Sequence, residues 1–375
     1  MKSEIGNAGN QWQTDKAPQK SNSFSADRLG LCWSTGFISW LAALLVLGLA
    51  VFLTSGIGSF DTPYKMIWHL WLSPFHPSWA EGIDERVRYI IINVRLARIC
   101  LALTVGGALA LAGAVYQGVL LNPLADPFTL GVSTGAAFGA SLYILFGWGG
   151  GHLWGMSTLP IAAFFGALAA LYLVYLLGRV DGKIHTTTLV LAGIIVSTFL
   201  SAWIGVLKSL NEDSISTIVF WVMGSLSGKS WGHVLLVLPY LAAGGAMIIY
   251  YARELDLLTL GDMQAQQLGV NVQQVRFRLM LAASLVTAVA VAVSGVIGFV
   301  GLVVPHLVRL ALGPHHRRLL PAAFLVGALL LLLSDTLARS LLPSGQELPV
   351  GVVTAILGGP FFCYLMLHRK KYLQL

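Results

Sequence analysis

A chain of 375 residues in which 56% are apolar and 10% carry a full charge cannot keep its side chains in order as a globule in water; soluble domains run at about 25% charged. Mean hydropathy is +0.77, and at about 20 apolar residues per helical crossing the roughly 210 apolar residues cover about ten crossings of a bilayer, with little left for a separate soluble domain. The basic excess, 23 Lys and Arg against 16 Asp and Glu, flanks apolar runs rather than gathering on one polar face, which excludes nucleic acid as the reason for the charge.

Residues 1–33 are polar and rich in Ser, Gln and Asn, which predicts a disordered cytoplasmic tail ahead of a single transmembrane domain over 34–375. The first apolar run begins too late and is too long to be the core of a cleavable signal. Apolar spans are expected at about 36–56, 96–118, 129–147, 158–178, 187–207, 232–252, 277–297, 299–312, 319–339 and 350–367. With the N-terminus in the cytoplasm, inside segments hold 15 of the 23 basic residues. The fold class is therefore an all-α polytopic membrane protein of about ten transmembrane helices with both termini cytoplasmic. Trp68, Trp71, Trp79, Trp221 and Trp231 fall in the outer connections, as an interfacial belt requires.

In chain order, Arg95 and Arg98 open the second span three residues apart. On a helix they share a face, and read without further context they snorkel to lipid headgroups. Asn122, Pro123, Asp126 and Pro127 interrupt the apolar run before span three. A carboxylate at that depth is costly, so Asp126 is read as capping the next helix rather than touching cargo. Gly131, Gly135 and Gly139 form two overlapping GxxxG steps that let another backbone approach. GSLSGKS at 224–230 imitates a phosphate loop but has one residue too few between its first Gly and the GK pair, and reads as a polar outer turn. Residues 253–278 form the longest inside connection and read as two short helices. Thr259 and Asp262 give a capping-box-like start, Leu260, Met263 and Leu268 the apolar positions, Gly269 the stop, and Asn271 the cap of the second helix. Those three apolar side chains either fold back on the bundle or await a partner protein. His315 and His316, beside Arg317 and Arg318, read as solvated charge in a cytoplasmic turn. Asp335 stands one turn before Arg339, a pairing that would neutralise an intramembrane acid.

No HExxH, GxSxG or paired-carboxylate spacing occurs, and Cys32, Cys100 and Cys363 are isolated, so neither a catalytic site nor a metal centre is expected. A secondary transporter would have to work through Asp126 and Asp335, both of which have structural readings.

Four stretches then stand out together: NPLADPFTLGVSTGAAFGA at 122–140, GFVGLVVPHLVRLALG at 298–313 with Pro305, HRRLLPAAFLVGALLLLLSDTLAR at 316–339 and ELPVGVVTAILGGPFF at 347–362. They resemble, in order, the iron-siderophore, haem and vitamin B12 permease family, the membrane subunits of type II ABC importers. The resemblance implies ten helices per subunit and a homodimer with the pathway at its centre. It also implies two ATPase subunits that use ATP, so that this chain binds no cofactor of its own, and a substrate-binding protein above. Arg95, Arg98 and Arg339 match family arginines that dock the binding protein. Leu260, Gly261, Asp262, Met263, Gln267, Leu268 and Gly269 match the coupling element, with Asp262 and Met263 departing from its usual small polar lead. Where the family reads LPR, this chain reads LAR at 96–98. The expected function is passage of a ferric siderophore or haem across a bacterial inner membrane, with cobalamin the alternative cargo.

Overall fold

In hydrocarbon every backbone N–H and C=O has to find its partner within the chain, and apolar runs of this length meet that demand as helices. The computed structural model describes residues 27–58, 62–73, 77–80, 82–147, 152–153, 156–180, 182–342 and 346–369. The predicted tail falls largely on residues 1–26, outside the described ones; its boundary at 33 is corrected, because helix α1 (Asp27–Gly56) begins at Asp27 and takes in the apolar Leu29, Leu31 and Trp33. The chain divides into two compact units, Met1–Leu45 and Val46–Leu375.

Within the larger unit, α2 (Tyr64–Leu72) packs Ile67 and Leu70 with Ile91. Asp84 caps α3 (Glu85–Tyr89) by accepting from the Arg86 N–H. A π-helical stretch, Ile90–Leu96, joins it without a break to α4 (Ala97–Val119). The second span thus starts earlier than the hydropathy suggested: Ala97 keeps the N–H a proline would lack and donates it to Val94, so the helix runs on. After a 3₁₀ turn (Pro127–Leu130) come α5 (Val132–Leu145) and α6 (Leu159–Leu177). Two ladders of two-residue strands, β1–β2 (His152–Leu153, Met156–Ser157) and β3–β4 (Arg179–Val180, Lys183–Ile184), are the only extended pairs among the described residues. Then come α7 (Thr186–Leu210), α8 (Glu212–Val222), α9 (Trp231–Tyr250), α10 (Ala252–Leu258), α11 (Asp262–Gln267) and α12 (Val272–Ser294). The last three are α13 (Val300–Leu312), α14 (His316–Ser340) and α15 (Val350–Arg369). Among the described residues six helices are long and apolar enough to cross a membrane, and four shorter apolar ones accompany them.

The core gathers on α4, which touches α9, α12, α13 and α14. Small residues make this proximity feasible: a Cβ on Gly106 would run into the Gly327 carbonyl of α14, and one on Gly113 into the Gly301 carbonyl of α13. That second carbonyl is freed by Pro305, which has no N–H to give it across the helical turn. Gly131 takes no part in such a seam. Its φ of 74° makes it the left-handed cap before α5, while Gly135 and Gly139 alone meet α6, at Gly166 and Ala162. Polar ties are few: the Tyr116 and Ser284 hydroxyls bond at 2.5 Å, and Gln117 donates to the Leu302 carbonyl while accepting from Arg309.

Candidate functional site

One end of the α4–α14 pair holds an ion cluster. Arg98 is clasped on two sides. Its Nε and Nη2 donate to Asp335 at 2.9–3.1 Å, and its Nη1 donates to both oxygens of Glu347 at 2.8 and 3.0 Å. Arg95 points elsewhere, donating to the Ser55 carbonyl and the Thr62 hydroxyl. Arg339 donates to the Thr54 carbonyl and lies 3.8 Å from Asp335, which therefore belongs first to Arg98 and only loosely to its neighbour one turn on. The three arginines read as docking candidates are all occupied inside the chain, Arg339 with the Asp335 neighbour expected for it and Arg95 and Arg98 with acceptors the sequence did not name. They are 6, 8 and 8% exposed and engaged within the chain, because a charge at this depth is tolerable only when its donors find acceptors. Glu347 is the accessible member, its side chain 27% exposed. Sequence reading missed Glu347 as a partner because 249 positions separate it from Arg98.

The other end of α14 holds the second assembly. There α11 and the start of α12 lie where two helices were read in 253–278, preceded by a further short helix, α10, and Leu260 is 53%, Met263 77% and Leu268 59% exposed while Ala265 is wholly buried. Positive φ at Gly261 and Gly269 ends one turn and stops the next. Thr259 is not the cap expected of it: its hydroxyl bonds back to the Asp256 carbonyl. Asp262 instead receives two bonds from buried Arg276, at 2.6 and 3.2 Å, and Arg276 also donates to the Ile184 carbonyl of the β3–β4 ladder. Asn271 caps α12 through the Gln274 N–H. The segment is thus stiffly backed and apolar in front. Gln267 is exposed in the same short helix.

His316 also departs from its sequence reading. Rather than solvated, it is 2% exposed, and its ring and backbone N–H both bond Asp256 of α10, at 2.6 and 2.9 Å. Burial pushes the Asp256 carboxyl up, but these bonds and the neighbouring histidines outweigh it and hold the group below the usual carboxylate range. His315, Arg317 and Arg318 are exposed. At the chain's earlier interruption Asn122 accepts the Leu124 N–H, and Asp126 N-caps the 3₁₀ turn by accepting from Phe128 and Thr129, with Pro127 at its first position. Gly224 is packed on Gly295 and the Val296 carbonyl and Leu226 is fully buried, so the first half of GSLSGKS is tucked in while the chain turns at exposed Ser227 and Gly228. Cys363 is exposed and Cys100 partly so. Among the described residues no three His, Cys, Asp or Glu side chains converge on a metal position.

Residues 44–368 match the FecCD transport family. The chain is 40% identical over 341 residues to the hemin transport system permease protein of Yersinia pestis, covering 90% of this chain and 96% of that one. It is 42% identical over 297 residues to the cobalamin import system permease protein of Halobacterium salinarum, covering 77% and 76%. Among solved structures it is similar to a metal-chelate type ABC transporter in an inward-facing conformation, with a TM-score of 0.74, 35% identity, and 88% of this chain and 98% of that chain covered.

Proposed function

The chain belongs to the FecCD transport family and is a multi-pass inner-membrane permease subunit of an ABC importer for iron-chelate, haem or B12-type substrates; from that premise we propose that it passes a ferric siderophore or haem inward as one half of a homodimer. Two separate ATPase subunits supply the energy, and a substrate-binding protein delivers the cargo. Cobalamin is the alternative cargo, the name its 42% identical relative carries.

The observation that carries this reading is the α11 surface. Leu260, Met263 and Leu268 stand exposed on a segment braced from behind by Arg276 and Asp256. Each is worth about 1.5–3 kcal/mol if a partner buries it. A groove on the cytoplasmic ATPase is the surface that would do so, and bracing lets a push on α11 reach α12 through Arg276 and α14 through His316. The ion cluster, at the opposite end of α14, then faces the binding protein. Glu347 is the one Arg98 partner open enough to yield its place to an incoming carboxylate, so Arg95, Arg98 and Arg339 enter docking through exchange rather than as a bare patch.

Leu268→Glu tests the reading. The variant should insert and melt as the parent does, since the side chain is exposed, while ATPase co-purification and transport into vesicles are lost. If both persist, α11 is not the coupling surface. Uptake of labelled haem against labelled cobalamin by the complete complex decides the cargo.

A further inference from the structure

Between α5 and α7 lies a cavity of about 290 Å³ that neither the ion cluster nor the α11 segment uses. Ser133 and Thr134 from the first turn of α5 line it, with Ser201 and Lys208 from α7, Val222 at the end of α8, and Val296.

Three features agree on the chemistry of an occupant. Ser133 is 3% exposed and its hydroxyl finds no hydrogen-bond partner, an arrangement that costs free energy until something enters to bond it. The 14-residue helix that carries it opens on Gly131, which has no side chain to cap the first turn, so the positive end of α5 borders the cavity. Lys208 brings a full positive charge to the same walls and takes part in none of the ion pairs among the described residues. Among the described residues no acidic side chain lines the space. Asp126, before the 3₁₀ turn, spends a carboxylate oxygen on the Phe128 and Thr129 amides.

An ammonium, a desolvated hydroxyl donor and an uncapped helix start, with no acid among them, suit an oxyanion. We infer that this cavity is a subsite for one carboxylate arm of the cargo in transit, held by the charge of Lys208 and the hydroxyls of Ser133, Thr134 and Ser201. At about 290 Å³ it falls just below the ~300–1,000 Å³ of pockets that hold whole small molecules. It therefore grips an arm while the rest of the chelate occupies the wider path. The inference rests on the permease reading for its cargo and supplies what that reading lacks, a reason for the pathway to prefer an acidic chelate.

The test is a footprint of Lys208 in the ATPase-bound permease in nanodiscs. Acylation of its amine by a water-soluble succinimidyl acetate is read by mass spectrometry with citrate as probe, against sodium chloride at matched ionic strength. Citrate should slow acylation of Lys208 about tenfold and leave exposed Lys65 unchanged, and Ser133→Val, which keeps the lysine, should cut that protection to below about twofold. Absence of protection, or equal protection of Lys65, overturns the subsite. In vesicle uptake Lys208→Gln should raise the half-saturating concentration of a carboxylate chelate about tenfold. Unchanged uptake in that variant overturns the subsite and leaves the permease reading intact. Import of no chelate by the wild-type complex overturns the permease reading instead, and the footprint still decides whether an anion binds.

Discussion

At one end of α14, Asp335 is wholly buried and its oxygens are taken by Arg98; at the other, α10 grips His316 and the neighbouring α11 leaves Met263 more than three-quarters exposed. Both regions attracted attention in the sequence as places where a partner docks. Burial separates them. Charged groups that satisfy one another inside the chain serve first to fix its own geometry. Apolar groups that a stiff backing holds in the open are surface awaiting cover.

The largest expected effect tests the closed end. Asp335→Ala leaves Arg98 and Arg339 buried with a partner removed, which should cost about 3–5 kcal/mol of stability, read from thermal unfolding of the purified permease. A loss below about 1 kcal/mol, the range of exposed pairs, would mean the cluster opens readily and the contrast between the two ends fails. A smaller effect is expected at the open end. Leu260→Ser with Met263→Ser should leave unfolding of the permease alone unaltered and weaken ATPase affinity at least about tenfold, about 1.4 kcal/mol. A fall in the permease's own stability would show that these side chains serve the bundle. The smallest effect concerns the joint between α10 and α14. Because Asp256 titrates below the ordinary carboxylate range in the folded chain, its contribution is complete above a pH of about 3.9 and is lost as pH falls through the lower folded value. The stability advantage of the parent over Asp256→Asn should therefore be constant from neutrality to about pH 5 and shrink below about pH 4. A margin that already declines between pH 7 and 5 would show that Asp256 is not held below the ordinary carboxylate range.

Local chemistry was readable before the fold was known. Among the described residues hydropathy located the six long apolar helices and the four shorter ones because each helix satisfies its own backbone, and the Asn-Pro-Leu-Ala-Asp-Pro run announced a cap because Asp126 needs only the two amides just beyond Pro127. Gly269 and Asn271 marked a stop and a start for the same reason. What the sequence hid lies across the fold. Glu347 on Arg98, Asp256 on His316 and Ile184 under Arg276 are pairings set by which helices touch, and no spacing encodes them. Arg95 and Arg98 show the same limit: three-residue spacing names no acceptor, and the fold gives Arg95 the Ser55 carbonyl and Thr62 hydroxyl and Arg98 the carboxylates of Asp335 and Glu347.

The glycine seams along α4 carry a consequence at the level of the gene. Every amino-acid change from a glycine codon adds a Cβ. At Gly106, Gly113 and Gly327 that atom has a neighbouring backbone in its place, which no rotamer can move aside. Only synonymous third-base changes should be neutral at these three codons. Gly48, Gly205 and Gly359, on helices of the same chain, have nothing within reach of an added Cβ, and replacement by alanine there relieves a helix of its least favourable residue after proline. Two sets of glycine codons in one reading frame should thus drift at very different rates. A saturation library selected for transport would find the first set nearly empty and the second well filled.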